Sequence, residues 1–147
     1  MIKIDFGSGY NPKKGYSSCD ITCSPMLDFV WLNNALYSKH GRVASETVDK
    51  VYCRNVLHHI PNLDVTLKAL CSYLKPGGAL KIIDCDKAHF GTNNLLDKIW
   101  YRYIIPRPDI YIANEYRDYI AMLKSLNMRL LYKANIEEKE ITVWYKE

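Results

Sequence analysis

The sequence has no apolar run that approaches the roughly 18 residues needed to cross a membrane. Its 5 cysteines are scattered, odd in number and never spaced C-x-x-C, so neither a disulfide framework nor a zinc site is indicated. With only 7 Gly and 6 Pro, it is neither collagen-like nor of low complexity. A net charge of +4 is too small to indicate nucleic-acid binding by itself.

What the sequence contains is typical of a folded domain. Hydrophobic residues make up 48% of the 147 positions, and 12 of these are tyrosines, which argues against disorder. The length predicts a single domain over 1–147. Residues 1–6 are too short and too charged for a signal peptide and are typical of a strand. Because the cysteines are expected to stay reduced, we predict a cytoplasmic protein.

Apolar segments and chain breakers alternate along the first half of the sequence. Short strands are predicted at residues 2–6, 16–22, 28–32, 48–53 and 79–84, with one helical turn after the third. Between the last two strands, Leu63, Leu67, Leu70 and Leu74 share one face of a predicted helix that opens at Pro61. A Lys-Pro-Gly-Gly segment ends that helix, since proline cannot continue it.

The alternation continues in the second half. One helix is predicted after a cap at Thr92 or Asn93, and another after a cap at Asn114. Two β-type runs, 128–134 and 140–145, lie close enough to form a hairpin. Strands that alternate with helices imply an α/β sheet with helices on its faces.

A glycine-rich turn follows the first predicted strand. Gly7 and Gly9 allow the backbone to pass close to a ligand at the carboxyl end of that strand, where open α/β sheets bind ligands. Asp20 ends the next predicted strand, and a carboxylate there can accept hydrogen bonds from two ribose hydroxyls. Two glycines alone are weak evidence, and the alternative is a tight turn beside a surface carboxylate.

Four segments together resemble the class I S-adenosylmethionine-dependent methyltransferases, and in particular their small, compact, type 11-like branch. The segments are 4–9 (IDFGSG), 15–21 (GYSSCDI), 48–60 (VDKVYCRNVLHHI) and 74–82 (LKPGGALKI). The resemblance covers residues 2 to about 86. It implies a Rossmann-like, mostly parallel sheet with helices on both faces and a C-terminal antiparallel hairpin. It also implies a cofactor-binding half over 1–86 and substrate-side helices with the hairpin over 87–147.

The resemblance implies S-adenosyl-L-methionine as the cofactor and a loop that holds its amino-acid part. Asp5, Gly7, Ser8 and Gly9 occupy the positions of that loop in this sequence. The resemblance also implies that residues further along the chain contact the rest of the cofactor.

Asp20 is expected to bind the ribose hydroxyls, and Ile21 to pack on the adenine. Asn33, or a neighbour within 32–34, is expected at the adenine edge. Asn55 and Val56 are expected to line the methionine portion.

One departure from the family pattern concerns the connection between the first two strands. Family members usually carry a helix there, so the ribose acid falls roughly 20 residues after the glycines. Here Asp20 follows Gly9 by 11 positions, so the first crossover helix is reduced to a loop and the pairing of the two strands is in doubt. One face of the sheet would then be thinly covered. We expect segment 31–37 or a partner chain, as in a homodimer, to cover it.

Methyl transfer mainly requires alignment, because a sulfonium already makes its methyl group electrophilic. A base is needed only where the acceptor loses a proton. His59 is the first candidate, at the mouth of the substrate pocket, ahead of His58, Asp84, Asp86 and His89, because histidine titrates nearest working pH. The alternative for either adjacent histidine is a structural hydrogen bond. The acidic pair and His89 lack a further ligand, so no metal is predicted.

We therefore predict methyl transfer to a small-molecule acceptor, with three alternatives. The missing helix and small size favour a degenerate fold with a regulatory or partner-dependent role, although Asp20 and the intact glycine turn argue against lost cofactor binding. An NAD-dependent oxidoreductase needs a third glycine and a following helix, and Pro12 stands at that position. A nucleic-acid methyltransferase fits the dispersed basic residues poorly. No membrane partner is predicted.

Overall fold

The computed structural model describes residues 1–21, 24–85 and 117–147. In chain order its elements are β1 (Lys3–Phe6), β2 (Ser17–Asp20), β3 (Phe29–Leu32), β4 (Ala35–Ser38), β5 (Gly41–Arg42), β6 (Val48–Arg54), α1 (Leu63–Tyr73), β7 (Leu74–Cys85), α2 (Tyr119–Lys124), β8 (Met128–Ile136) and β9 (Lys139–Lys146). Within these residues the strands form one sheet in the order β5-β4-β3-β2-β1-β6-β7-β9-β8.

The centre of the sheet is parallel and both margins are antiparallel. Strands β3, β2, β1, β6 and β7 run in one direction. Strand β4 at one side and β9 at the other run opposite to it, and the outermost strands β5 and β8 turn back again. The predicted α/β fold with a C-terminal antiparallel hairpin is confirmed. From β1 the chain adds β2 and β3 on one side and later β6 and β7 on the other. The order therefore reverses between β1 and β6, which is where such sheets bind ligands.

The first two strands pair in parallel although no helix joins them. Their register runs from Ile4 opposite Ser17 to Phe6 opposite Cys19. The connecting loop folds back over the sheet, where the Lys13 amide donates a hydrogen bond to Asp5 Oδ2 at 2.7 Å. The predicted loss of the crossover helix is thus observed, and the doubt about the strand pairing is resolved in favour of a parallel pair.

The helical turn predicted after the third strand is wrong, because a hairpin occupies that position. Asn33 and Asn34 have φ values of 50° and 57° and form a two-residue turn between β3 and β4. Asparagine tolerates this left-handed backbone, and two such residues suit the turn type that matches the twist of hairpin strands. The strand that follows, β4, has only 4 residues, which are too few for their pattern to distinguish a strand from a helical turn.

The expectation that segment 31–37 covers a bare face of the sheet is also wrong. That segment extends the sheet as β3 and β4. The Trp31 ring packs edge-on against Phe6 at 5.2 Å and against Tyr73 at 5.9 Å between centroids, on the same face as α1. A partner chain on the other face remains a prediction.

Side chains from the loop cover part of that other face beside β1. The Lys13 ammonium lies 4.5 Å from the Tyr52 ring centroid and 5.3 Å from that of Tyr16. The two rings are 5.9 Å apart. A cation between aromatic faces contributes modest attraction and buries the lysine stem. In place of a helix, the loop thus contributes two side chains, Lys13 and Tyr16, which pack on Tyr52 of β6.

The core lies between the sheet and the two described helices. The predicted leucine face of α1 is confirmed, with Leu63, Leu67 and Leu70 buried, and α2 packs beside α1 and β8. Helix α2 begins at Tyr119 and is capped by Asp118, whereas the predicted caps at residues 92, 93 and 114 lie outside the described residues. In the described part of the chain, no helix is both long and apolar enough to cross a bilayer.

Candidate functional site

A cleft of about 590 Å³ opens where the carboxyl ends of β1, β2, β3 and β6 meet. Every predicted site residue except Asp5 lines this cleft, namely Gly7, Ser8, Gly9, Asp20, Ile21, Asn33, Asn55, Val56 and His59. The sequence places them on four separate segments, and the parallel sheet brings them to one edge. The cleft coincides with the point at which the strand order reverses.

The glycine turn is hydrogen-bonded to the end of β2. The amides of Gly7 and Ser8 both donate to the Cys19 carbonyl, at 2.8 and 3.2 Å. The Ser8 hydroxyl accepts from the Cys19 amide at 3.2 Å and donates to the Gly9 carbonyl at 2.9 Å. The turn is therefore held in place by protein contacts before any ligand arrives.

Gly7 also marks the closest approach of the glycine turn to the loop after β6. Its φ is +77°, and a Cβ built on it would lie 2.9 Å from Val56 Cβ and closer still to Cγ2. Gly9 has a φ of +57° but nothing within 4 Å of a built Cβ. Backbone conformation favours glycine at both positions, and only at Gly7 does packing exclude a side chain as well.

Asp20 is half-buried at the end of β2 and is oriented by two amides. Its Oδ2 accepts from the Gly9 amide at 2.8 Å, and its Oδ1 accepts from the Ile21 amide at 2.7 Å. Each oxygen retains one acceptor position for a ligand. Beside it, the apolar side chains of Ile21 and Leu32 are 46% and 53% exposed, although both line the cleft. A carboxylate next to exposed apolar side chains suits a ribose attached to a flat base.

The β3–β4 turn forms one wall of the cleft and is attached to α1. The Thr66 hydroxyl donates to Asn34 Oδ1 at 3.1 Å, and the Leu36 amide donates to the Tyr73 hydroxyl at 3.0 Å. Sequence reasoning missed Thr66 together with other lining residues, which are Phe6, Trp31, Ile60, Pro61 and Asn62. The sequence did contain a signal for Thr66, because it is a polar residue on the face of α1 that otherwise carries leucines.

The adjacent histidines have different environments. His59 lines the cleft, whereas the ring of His58 is paired with Asp84, with 2.8 Å between Nδ1 and Oδ1. Asp84 Oδ2 also accepts from the Leu57 amide at 3.0 Å. The two imidazole rings lie against each other with centroids 4.0 Å apart and planes tilted by 44°. His58 therefore makes a structural contact, which was the alternative to a role as base, whereas His59 lines the cleft.

A guanidinium fixes the turn that carries both histidines. The Arg117 side chain donates to the carbonyls of Leu57, at 2.7 Å, and of Ile60. These carbonyls belong to the 3₁₀ turn Leu57–His59 and the residue after it. The backbone on both sides of His59 is thus hydrogen-bonded to one side chain.

Asp5 lies behind the glycine turn, in a second cavity of about 420 Å³. Its side chain is buried, and Oδ2 accepts from the Lys13 amide. Burial raises the pKa of the Asp5 carboxyl, although the Lys13 amide and the cationic side chains of Arg54 and Lys13 act in the opposite direction. Asp5 is the one predicted site residue that the structure separates from the main cleft.

The described residues contain no group of three or more His, Cys, Asp or Glu side chains that could hold a metal ion. Asp84, one of the candidates weighed for such a group, is used by the His58 ring and the Leu57 amide. The other candidates, Asp86 and His89, lie outside the described residues.

The fold and the cleft together define a Rossmann-like α/β protein with a ligand-sized cleft at its switch point. A family model described as a methyltransferase domain matches residues 7–123. The chain belongs to this methyltransferase family. The family match confirms the predicted resemblance to methyltransferases, and solved proteins described as S-adenosylmethionine-dependent methyltransferases share the fold.

Known proteins similar to this chain carry related descriptions. The human thiol S-methyltransferase TMT1A is 24% identical over 123 residues, covering 69% of this chain and 50% of that protein. The chain thus spans about half the length of this curated relative. A Mesorhizobium loti S-adenosylmethionine-dependent methyltransferase shares the fold, with a TM-score of 0.70, 9% identity and coverage of 99% and 90% of the two chains.

A third similar protein has been solved with ligands. It is the 1,6-didemethyltoxoflavin-N1-methyltransferase of Burkholderia thailandensis, with bound 1,6-didemethyltoxoflavin and S-adenosylhomocysteine. The TM-score is 0.62 at 13% identity, with coverage of 99% of this chain and 70% of that one. At such identities the two structural matches establish the fold alone.

Replacing Gly7 should destabilise the protein more than replacing Gly9. Both changes to alanine place a side chain at positive φ, which costs about 1–2 kcal/mol. Gly7→Ala adds the collision with Val56, which we expect to cost roughly 1–3 kcal/mol more. Urea unfolding of the two variants measures the difference. Part of the loss should return in Gly7→Ala with Val56→Ala, and equal losses for the two single variants would contradict the packing argument.

The buried Asp5 carboxyl should make stability depend on pH. Because its folded pKa is raised above 3.8, wild type loses stability as pH rises from about 4 through that folded value. Asp5→Asn keeps an oxygen acceptor for the Lys13 amide but does not ionise. The variant's free energy of unfolding, relative to wild type, should therefore increase between about pH 4 and pH 7. Urea titrations at several pH values test this, and a decrease over that range would show the opposite shift.

Proposed function

We propose that this chain transfers a methyl group from S-adenosyl-L-methionine to a small-molecule acceptor that enters beside His59. The single observation that carries the proposal is the cleft itself. It gathers the glycine turn, the oriented Asp20 carboxylate and His59 at the switch point of the sheet. The position, lining and volume of the cleft suit a nucleoside with a small molecule next to it.

The residues that would hold the nucleoside fit its chemistry. Asp20 offers one acceptor position on each oxygen, which matches two neighbouring ribose hydroxyls. Ile21 and Leu32 offer exposed apolar surface for the flat base, and Asn33 lies at its expected edge. When bound, this cofactor supplies a methyl group already activated by a positively charged sulfur.

The protein's part in transfer would be alignment and, for some acceptors, removal of a proton. Asn55 and Val56 would line the path between the glycine turn and the acceptor. His59 would receive the acceptor's proton at an imidazole nitrogen where the acceptor must lose one. The Arg117 contacts to the turn would keep this ring in place.

The acceptor class is supported by what similar proteins are described as doing. One relative is a thiol S-methyltransferase, and a structural neighbour was solved with bound 1,6-didemethyltoxoflavin. A thiol is a reasonable first acceptor to test, since the thiolate form is a strong nucleophile and is accessible near neutral pH. The family match does not favour the alternative of a non-catalytic module.

We also propose a cytoplasmic location. Cys19, Cys53 and Cys71 are free and buried, and burial raises the pKa of the Cys71 thiol to about 12. These three thiols are unreactive core residues, as expected where cysteines stay reduced.

Removing the Asp20 carboxylate should weaken cofactor binding. Two charge-assisted hydrogen bonds would be lost, so Asp20→Ala should bind S-adenosylhomocysteine roughly 100-fold more weakly in calorimetric titration. The matched control is Asp64→Ala, which removes an exposed carboxylate on α1 away from the cleft. If both variants bind like wild type, Asp20 is not the ribose acid. If wild type itself does not bind, the cofactor site of the proposed function is wrong.

Changing His59 should affect turnover rather than cofactor affinity. We expect His59→Gln to keep the dissociation constant of S-adenosylhomocysteine within about twofold. Turnover of a thiol, phenol or amine panel should fall roughly 100-fold or more where a proton must leave. Production of S-adenosylhomocysteine provides the measurement, and His40→Gln, at an exposed position before β5, is the control. Unchanged turnover across every active acceptor would remove His59 from the mechanism.

A further inference from the structure

The two faces of the sheet differ in how well they are covered. Strand β9 shows the difference, because Thr142 and Trp144 are buried, whereas Ile141 and Val143, which project to the other side, are half-buried and Tyr145 is exposed. In the described part of the chain, α1 and α2 both pack on the side of Trp144. We call the opposite side of strands β1, β6, β7, β9 and β8, which carries Ile141, Val143 and Tyr145, the open face.

The strand registers arrange the side chains of the open face in three rows across the sheet. Residues that are opposite each other on neighbouring strands project from the same side. The first row consists of Lys3, Lys50, Ala79, Tyr145 and Arg129, the second of Asp5, Tyr52, Lys81, Val143 and Tyr132, and the third of Arg54, Ile83, Ile141 and Ala134.

The rows bring together five cations that are dispersed along the sequence. These are Lys3, Lys50, Arg54, Lys81 and Arg129. The one carboxylate in the rows belongs to Asp5, which is buried. Beyond the rows, Asp49 is paired with Lys75 at 3.0 Å, and Glu147 follows Tyr145 by two positions. Among the described residues, none of the five cations has a carboxylate within salt-bridge distance. Strand pairing therefore concentrates positive charge that the dispersed positions do not reveal.

Exposed tyrosine rings occupy the other half of the open face. Tyr145 on β9 and Tyr132 on β8 are 40% and 53% exposed. They lie on adjacent strands one row apart, since Tyr132 is opposite Val143. Such diagonal neighbours are roughly 7–8 Å apart, within reach of aromatic side chains. Two strand spacings, about 10 Å, separate β6 from β9. A cationic half on β1 and β6 thus lies beside a half with exposed rings on β9 and β8.

We propose that the open face binds single-stranded RNA, with phosphates along the cations of β1 and β6 and bases over the rings of β9 and β8. A single strand has negative charge on its backbone and flat bases that are free to stack, so it matches both halves at once. A sheet with exposed rings is a known way to hold unpaired bases.

The choice of RNA over DNA rests on the cytoplasmic location proposed above, because RNA is the abundant single strand there. The binding itself does not depend on methyl transfer, since none of the cations or rings in the rows lines the main cleft.

A second copy of the chain and a lipid surface fit the open face less well. Two copies placed face to face would bring the same cations together, so the face does not complement itself in charge. A lipid surface needs apolar side chains that reach into the membrane. Here Ile83, Ile141 and Val143 are half-buried between longer cationic and tyrosine side chains.

Fluorescence anisotropy of the full chain with a labelled oligouridine of about 12 nucleotides tests the inference. We expect micromolar binding at low salt, and log affinity should fall against log salt with a slope of about −2 to −3, as for three or four phosphates. An RNA duplex of the same length should bind more weakly, because its bases are stacked inside. An oligothymidine DNA of equal length should not bind more tightly than the oligouridine.

Neutral variants separate the phosphate contacts from the stacking. Lys50→Gln and Lys81→Gln should each weaken oligouridine binding roughly 3- to 10-fold and reduce the size of the salt slope by about 0.7. Tyr145→Ala should weaken it roughly tenfold at an unchanged slope, because the loss is that of a stacked base. Tyr145→Phe keeps the ring and should stay within about twofold of wild type.

The matched controls are Lys68→Gln and Lys124→Gln, which remove exposed lysines from α1 and α2 on the covered side of the sheet. Both make the same charge change and should keep the wild-type affinity and salt slope. Circular dichroism confirms that each variant is folded. Calorimetric titration with S-adenosylhomocysteine reports on the cleft separately, so a failure of the RNA site and a failure of the proposed function are distinguishable.

Five results would overturn the inference. The first is a wild type that does not bind oligouridine at low salt, even if it binds S-adenosylhomocysteine. The second is equal weakening by Lys68→Gln and Lys50→Gln, which would show attraction by overall charge. Tighter binding of oligothymidine would contradict the choice of RNA. Phosphatidylserine vesicles that displace the RNA, with the same dependence on Lys50 and Tyr145, would assign the face to lipid. A dimer in ultracentrifugation that excludes RNA and that Tyr145→Ala dissociates would assign it to a second copy.

Discussion

The close approach of Gly7 to Val56 is the constraint on which the rest of the site depends. It sets the spacing between the end of β1 and the loop after β6, the two central strands of the parallel sheet. With that spacing, three features face one cleft: the glycine turn, the Asp20 carboxylate that accepts a hydrogen bond from the Gly9 amide, and the 3₁₀ turn that carries His59. A side chain at Gly7 would push the two strand ends apart, and every contact across the cleft would change with them.

A second theme is how a small chain compensates for a missing helix. The β1–β2 loop covers its part of the sheet with Lys13 and Tyr16, which pack against Tyr52 of β6, instead of with a packed helix. On the other side of the site, the β3–β4 hairpin supplies a wall that is bonded to α1 through Thr66 and Tyr73. Both solutions use few residues, and both place polar side chains close to the ligand region.

Local patterns were sufficient to predict the parallel strands, the leucine face of α1, the terminal hairpin and the glycine turn. These features follow from periodicity and from residues with restricted backbone preferences. The Asn33-Asn34 turn was mistaken for a helical turn because two asparagines fit either local structure until the pairing partner of β4 is known. The separation of Asp5 from the cleft and the contribution of Thr66 depend on which sheet face and which helix turn meet, and no local pattern encodes that. The site roles themselves were inferred from family resemblance; all the predicted residues except Asp5 line one cleft, and their roles stay predictions.

The long-range pairing of β1 has a consequence for how the protein is made. Ile4 of β1 lies opposite Val51 of β6, so β1 lacks one of its two neighbouring strands until nearly fifty more residues have been synthesised. Pairings of such high sequence separation form slowly, and at ordinary translation rates this interval lasts roughly several seconds. During it, the apolar strand at the amino terminus has an unpaired edge. The floor of the cleft can therefore form only after β6 has been synthesised, although most of the glycine turn and β2 is made long before.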